Sequence, residues 1–527
     1  MSVVSRLPCD EASVRGGGPA ADCTAARKRW VLAASILGSS LAFIDGTVVN
    51  VALPAIQRAL AATAYQAQWV VESYALLLAA LLLLGGALSD RLGRRRVFIA
   101  GVLLFAAGSA ACAFAASVGQ LIAARALQGA GAALLVPGSM ALISANFPQA
   151  ERGRAFGLWT GISGVTSALG PLLGGWLVDQ FSWRWAFAVN LPVAAAVVAI
   201  AWWRVPESPP PAATTRLDIG GAALATLALG GAAFAFTEAP TRGWTAPEVL
   251  GALLLAVAAL PAFVAVERRH PAPMVPLGLL RNRTFAGANA LTLLLYAGLG
   301  GGLFFLPLNL VQVQGYSATA AGAALLPFIL ILFVLSRWAG GLVERHGARG
   351  PLVVGPLIAA GGFALLALPG RAADYWSGFL PGVAVLGLGM AITIAPLTTT
   401  VMNAVDAQAA GVASGVNNAV SRVAGLLAVA VFGWVMGLVF GPALQQGLRD
   451  AALAPALVEA AWAQRDRWGA LRLDGLDAPA AQAVQAAVQQ AFVAGYRWIM
   501  SASAVLAMLG ALVAASTLAR HQPAAAR

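Results

Sequence analysis

The sequence predicts an all-α polytopic membrane protein with fourteen transmembrane helices, and three observations predict it. Of the 527 residues, 60% are hydrophobic and only 10% charged, where a soluble domain carries about 25% charged residues. Nearly every apolar run is about 20 residues long, the length that crosses a hydrocarbon core as a helix. Arginines fill alternate gaps between the runs, the pattern that orients membrane helices. Strands are not expected, because lipid-exposed backbone must satisfy its hydrogen bonds inside helices or closed barrels.

In chain order, residues 1–29 hold no apolar core followed by a cleavage pattern. They are expected to be a cytoplasmic tail and not a signal peptide. The spans then read as 30–55, 68–89, 97–116, 119–144, 155–178 and 185–203. Two more follow at 217–237 and 247–267, then 284–311, 317–343, 351–369, 376–401, 411–440 and 494–518. The third and fourth join tightly around Ser117 to Gly119. Arg27, Lys28 and Arg29 precede the first span, and Arg91, Arg94, Arg95 and Arg96 fill the second connection. Arg152 and Arg154 fill the fourth, Arg204 and Arg216 the sixth, Arg268, Arg269, Arg281 and Arg283 the eighth, and Arg345 and Arg349 the tenth. The odd short connections carry one arginine or none, so both termini are expected in the cytoplasm. The net charge of +12 follows from this placement and does not point to nucleic acid. A long extracytoplasmic connection is expected over 441–493, with helical Ala-rich stretches near 451–468 and 478–493 that pack as a small cap.

The loop GALSDRLGRRR, from Gly86 to Arg96, recurs as GLVERHGAR from Gly341 to Arg349. Internal repeats with matching loops mark transporters built from two bundles. The expected organisation is a tail (1–29), an N-terminal six-helix bundle (30–204) and two inserted helices (205–268). A cytoplasmic linker (269–283), a C-terminal six-helix bundle (284–520) and a tail (521–527) complete it.

Four groups of residues carry the function. Asp45 lies midway along the first span, near the bilayer midplane, where a carboxylate costs roughly 2.5–3.5 kcal/mol. Such a residue points to proton or ion handling. In the fourth span Arg125, Gln128 and Gly129 share a helix face. A buried arginine needs a partner, and Asp45 is the natural one, directly or through water. The first loop copy (Gly86, Asp90, Arg91, Gly93, Arg94) and its second (Gly341, Glu344, Arg345) are read as a conformational latch between the bundles. In the fifth span Gly157, Gly161, Gly164, Ala168, Pro171 and Gly175 recur at spacings of three and four, with Gly170 and Gly174 beside them. They form one small-residue stripe along which another helix can approach. Glu72 is the other acid inside a span; it is read either as an interfacial, hydrated carboxylate or as a second proton site or substrate contact. Asn50, Asn418 and Arg422 are further intramembrane polar residues.

On these residues the chain resembles the major facilitator superfamily, in its fourteen-span drug:proton antiporter branch. Ile44 to Pro54 matches the first-span signature with Ile44 in place of Leu, and Gly86 to Val97 the loop motif. Arg125 to Ala133 matches the fourth-span motif, Gly170 to Gly175 the antiporter motif, and Trp183 to Pro192 a further signature. Pro273 to Phe285 and Gly411 to Gly425 match the C-terminal half. The resemblance covers about residues 28–520. It implies a major facilitator fold of two six-helix bundles plus two inserted helices. It also implies proton-driven export of lipophilic drugs or toxic small molecules by alternating access, with Asp45 in proton coupling and Arg125 tuning it. It implies that Asp90, Arg91 and Gly93 stabilise the closed cytoplasmic side, in a cytoplasmic (inner) membrane. One proton per cycle is the simplest expectation. Glu344 stands where the family has Asp, which weakens the second latch. The cores of spans nine to fourteen hold no Asp or Glu; Arg337 and Arg422 lie there instead, near the cytoplasmic ends. This favours neutral lipophilic, weakly acidic or monocationic substrates over dications.

The remaining classes are narrowed by what the sequence lacks. Cys9, Cys23 and Cys112 are odd in number, form no CxxC and have few histidines near them, so no disulfide framework, metal or other cofactor is expected. No phosphate loop is present, which argues against ATP drive. No constellation of Ser, His and acid suggests an enzyme, and nothing resembles a selectivity filter. The partners expected are a small-molecule substrate and the lipid bilayer, with a periplasmic adaptor and outer-membrane channel left open. Two alternatives stay open beside drug efflux. One is a dedicated exporter of one endogenous natural product, lipid or siderophore. The other is a nontransporting sensor of the same fold.

Overall fold

The computed structural model describes residues 25–207, 218–271, 273–343, 347–405, 410–451, 453–471 and 477–518. Among these residues no strand occurs, and fourteen helices are long and apolar enough to cross a membrane. We number them α1 (Ala25–Ala59), α2 (Ala64–Leu92), α3 (Arg94–Ala113), α4 (Val118–Asn146) and α5 (Gln149–Gln180). A short turn, Trp185–Ala188, leads into α6 (Asn190–Arg204); α7 (Ile219–Arg242), α8 (Pro247–Arg269) and α9 (Arg283–Gln312) follow. α10 is in two pieces, Ala318–Ala323 and Leu326–Gly340. The last four are α11 (Arg349–Leu366), α12 (Leu380–Asn403), α13 (Ala410–Asp450) and α14 (Ala478–Thr517).

The short connections are set by capping chemistry. Thr63 and Gln66 form a reciprocal box that starts α2, the Thr63 hydroxyl accepting from the Gln66 N–H and the Gln66 side chain from the Thr63 N–H. Ser117 caps α4 by accepting from the Gln120 N–H, and Asn282 caps α9 by accepting from the Thr284 and Phe285 N–H groups. Between α2 and α3 the chain turns on Gly93 alone, at a φ of +101°. Only glycine takes that conformation without strain.

α1 to α6 pack as one bundle and α9 to α14 as another. The bundles meet along two seams, α2 against α13 and α5 against α10, with a lighter contact of α1 on α9. α7 lies against both α2 and α13, and α8 packs on α7. The inserted pair therefore flanks a seam between the bundles.

Among the described residues the apolar core crosses between the bundles mainly at one end, with a smaller cluster of Leu76, Leu426 and Ala430 along the α2–α13 seam. One cluster joins Leu53, Ile56, Tyr65 and Trp183 of the first bundle to Phe304, Phe305 and Leu310 of the second. These residues lie toward the odd-numbered connections. The rest of the first bundle's core, from Val31 and Phe98 to Trp159 and Val205, is a separate cluster, and Ala419 of α13 is the second-bundle residue packed on it. Polar ties repeat the asymmetry. Gln312 donates to Gln57 at 2.9 Å, Gln68 to the Val429 carbonyl at 2.9 Å, and the Thr319 N–H to Asp179 at 2.7 Å. The bundles are thus sealed at the end of the odd connections.

The expected loop over 441–493 is largely helical. α13 continues to Asp450 and α14 starts at Ala478, so the connection proper is only 451–477. The stretch 478–493 forms the first turns of α14, and the earlier stretch becomes the helix Pro455–Ala463 and the turn Arg465–Ala470. Hydropathy marks where lipid ends, and an Ala-rich helix has no reason to stop there. The turn does act as a cap. Trp468 is 2% exposed, with its ring 5.4 Å from that of Tyr65 on α2 and 5.7 Å from that of Phe305 on α9. It holds a left-handed φ of +49°, which packing on both bundles maintains.

Candidate functional site

Asp45 is fully buried inside the first bundle. Arg125 of α4 is its direct ion-pair partner, the Nη1 group donating to Oδ2. Gln128, one turn along α4, donates from Nε2 to Asp45 Oδ1 at 2.7 Å and to Ser109 Oγ of α3 at 2.8 Å. Its Oε1 accepts from Arg125 Nη1 at 2.7 Å. Asn190, the first residue of α6, donates to Asp45 Oδ1 at 3.1 Å and to Ser109 at 3.3 Å. Arg125 Nε donates to the Val70 carbonyl of α2 at 3.0 Å. The Tyr74 ring lies 4.2 Å from the guanidinium carbon, and its hydroxyl donates to the Ala42 carbonyl. Five helices converge on one carboxylate.

The arrangement gives Arg125 more than one partner. A buried ion pair broken on one side usually leaves an uncompensated charge. Here Arg125 keeps two acceptors, Gln128 Oε1 and the Val70 carbonyl, when Asp45 is neutral. Gln128 bonds both members of the pair. The predicted Asp45, Arg125 and Gln128 meet. Asn190 and Ser109 were not singled out. Asn190 stands inside the Trp183 to Pro192 signature, and a polar residue at an apolar helix start was the available signal.

Glu72 does not join this network. It is 1% exposed, which removes the hydrated interfacial reading. Thr237 of α7 donates to its Oε2 at 3.1 Å, and its Oε1 is buried without a partner. The neighbouring Trp69 donates to Glu238, also of α7, at 3.2 Å. Its surroundings include the inserted pair, because α7 covers the face of α2 that carries Glu72.

The small-residue stripe of α5 divides in two. A Cβ on Gly157, Gly161 or Gly164 would meet nothing within 4 Å, so these glycines seat no helix. Gly170 lies against Thr47 and Gly174 against Val48, both of α1. Gly175 meets the backbone of Ala318 and Thr319, and Gly322 of α10 meets that of Pro171. Close helix approach is thus confined to the sealed end.

The first latch copy also engages only its own bundle. Asp90 pairs with Arg94 one turn on, at 3.2 Å, and Arg91 is exposed. Glu207, beyond α6, accepts from the Arg95 N–H at 3.1 Å and would abut any Cβ on Gly93. Glu207 was not foreseen; an isolated acid facing an arginine cluster was the available sign. A Cβ on Gly86 would reach Pro137 of α4 at 3.8 Å. In the second copy Gly341 ends α10, and Glu344 and Arg345 lie outside the described residues. Asn50 has a buried Oδ1 without a partner, and the Asn418 carbonyl accepts from Ser421. Arg422 lies in the first third of its span, toward the even-numbered connection. It lies twelve residues into α13, about 18 Å along it, with its guanidinium 5.6 Å from the Phe43 ring. Among the described residues no cluster of three or more His, Cys, Asp or Glu that could hold a metal occurs.

Comparisons with known proteins place the chain in a family. A family model described as Major Facilitator Superfamily matches residues 35–429. The chain is 38% identical over 425 residues to "Multidrug resistance protein Stp" of Mycobacterium tuberculosis (strain CDC 1551 / Oshkosh), covering 80% of this chain and 79% of that protein. It is 32% identical over 490 residues to the "Tetracenomycin C resistance and export protein" of Streptomyces glaucescens, covering 92% and 91%. Among solved structures it superposes on a bacterial homolog of the human lysosomal transporter Spinster, in an inward-facing and unoccupied conformation. The TM-score is 0.64 at 19% identity, covering 95% of this chain and 100% of the other, a likeness of fold.

Proposed function

The chain belongs to the major facilitator superfamily, and from that premise we propose that it exports lipophilic drugs or toxic small molecules in exchange for protons. Relatives named for multidrug resistance and for antibiotic resistance and export support this reading. It is a multi-pass membrane transporter and not an enzyme. The observation that carries proton coupling is the fully buried Asp45, paired with an arginine that keeps other acceptors.

With both termini cytoplasmic, as the arginine distribution supports, the odd connections face outward. The structure is then sealed outside, and the open stretch of α5 faces the cytoplasm. In the alternate state the outer seals part and the cytoplasmic ends close. The loop around Asp90, Arg91 and Gly93, held on its own bundle here, latches onto the other bundle in that state. Asp45 loads its proton from outside and discharges inside, and each 100 mV of potential contributes about 2.3 kcal/mol per charge moved. Residence in the cytoplasmic membrane follows, since the gradient is maintained there. The partners proposed are a small-molecule substrate and the lipid bilayer, with no cofactor.

Substrate-stimulated proton release from everted vesicles with an acidic interior tests the function. A panel of dyes and antibiotics is expected to elicit release from vesicles holding the protein and none from empty ones. A gradient left unchanged by every compound, while purified protein binds several of them, would overturn drug:proton exchange.

Glu72 is proposed as a second proton site at the seam of α2 and α7. Its unpartnered Oε1 supports this, since a proton there fills a position no neighbour occupies. The count then rises from the one proton expected of Asp45 alone to two. Reversal potentials of substrate flux are expected to give two protons per substrate in the wild type and one in Glu72→Gln. An unchanged ratio would leave Glu72 a structural tie to Thr237.

A further inference from the structure

From Arg422 and the rings around it we infer that the transport path contains a binding site for a planar organic anion, an aromatic carboxylate or phenolate. The inference rests on the exporter reading and names the substrate class of its path. Arg422 lies in the first third of α13 and is partly buried. A cation at that depth faces the protein interior and needs a counter-charge. Among the described residues no ion pair joins it to a carboxylate. Asp45, the buried carboxylate of α1, is already paired with Arg125. The sum of Asp45, Arg125 and Arg422 is therefore one positive charge, on the seam where α13 meets the first bundle.

The surroundings suit a flat ligand. The Phe43 ring of α1 lies 5.6 Å from the guanidinium carbon. Phe43 packs edge-on to Trp159 of α5 at 6.2 Å, whose indole N–H is occupied by Ser39. Tyr74 is stacked on Arg125, and its hydroxyl donates to the carbonyl of Ala42, the residue before Phe43. The guanidinium offers a planar fork that fits a carboxylate or phenolate, and the rings offer flat faces to an aromatic body. A ligand cation would meet an uncompensated like charge. Phe43 and Asp45 lie two residues apart on α1, so the proposed substrate and proton sites are neighbours.

The test is equilibrium dialysis of 1-naphthoate and its neutral isostere 1-naphthamide against nanodiscs with and without the protein. The wild type is expected to favour the naphthoate by about tenfold, the scale of a charge-assisted hydrogen bond. Arg422→Gln is expected to lose that preference and Arg422→Lys to keep part of it, which separates lost charge from lost folding. Equal binding of the two probes to the wild type, no binding of the naphthoate, or a preference that survives Arg422→Gln would overturn the site. Those results leave gradient-driven export, measured separately in vesicles, standing. An intact preference without driven export would remove the exporter reading and keep the anion site.

Discussion

Asp45→Asn is expected to reduce gradient-driven export to that of vesicles lacking the protein, while substrate binding persists. Asparagine has the volume of the aspartate and keeps an acceptor for Gln128 and Asn190, both of which donate to Oδ1. It cannot take up or release the proton, so the cycle loses its coupled step. Arg125 also loses its counter-ion. Removing one partner of a buried pair costs about 3–5 kcal/mol, and the acceptors at Gln128 and Val70 hold this variant to the lower end. The double variant Asp45→Asn/Arg125→Gln removes the unpaired charge and is expected to regain stability but not export. Thermal unfolding in detergent and proton-driven flux, measured side by side, distinguish the two effects. Undiminished driven flux in Asp45→Asn would show that the proton travels elsewhere.

Gly322→Val is expected to be the second severe change, acting on the seal between α5 and α10. The backbone of Pro171 occupies the space that any Cβ at Gly322 would enter, and the Leu172 nitrogen stands 2.9 Å from it. Backbone cannot rotate aside as a side chain does, so the helices must separate. Overpacking of this kind costs about 3 kcal/mol at the upper end of its usual range. That is roughly a hundredfold against the sealed state. Transport should fall by a similar factor. A cysteine at Gln57, buried beside Gln312 in the seal, should become reactive to a membrane-impermeant maleimide. Gly161→Val, which projects into open space in this state, is the control and should leave that reactivity low. A seal that stays unreactive in Gly322→Val would mean that the α5–α10 contact does not hold the outer end shut.

Much of the path from sequence to site was legible. Charge inside an apolar run is so costly that Asp45 and Arg125 identified themselves, and their pairing followed from scarcity of alternatives. What could not be read was which distant residues complete the shell. Ser109 is a small residue among small residues, and nothing local distinguishes it. Asn190 reaches Asp45 only because the turn Trp185–Ala188 sets the start of α6 inside the bundle. The α5 stripe was legible as composition, but its division into a packed and an open half belongs to one state of a two-state machine. A single periodic pattern serves both states. The environment of Glu72 depended on where the inserted helices dock, which no spacing within either segment records.

The length of α13 and α14 has a mechanical consequence. At 41 and 40 residues each is about 60 Å long, against a hydrocarbon layer of roughly 30 Å. They therefore act as levers whose tips move in water when the second bundle tilts in lipid. A small rotation at the membrane becomes a large excursion at the tips, where the segment bearing Trp468 is carried. A binder raised against that segment would grip the protein at its sealed end and hold it in one posture, without ever entering the bilayer.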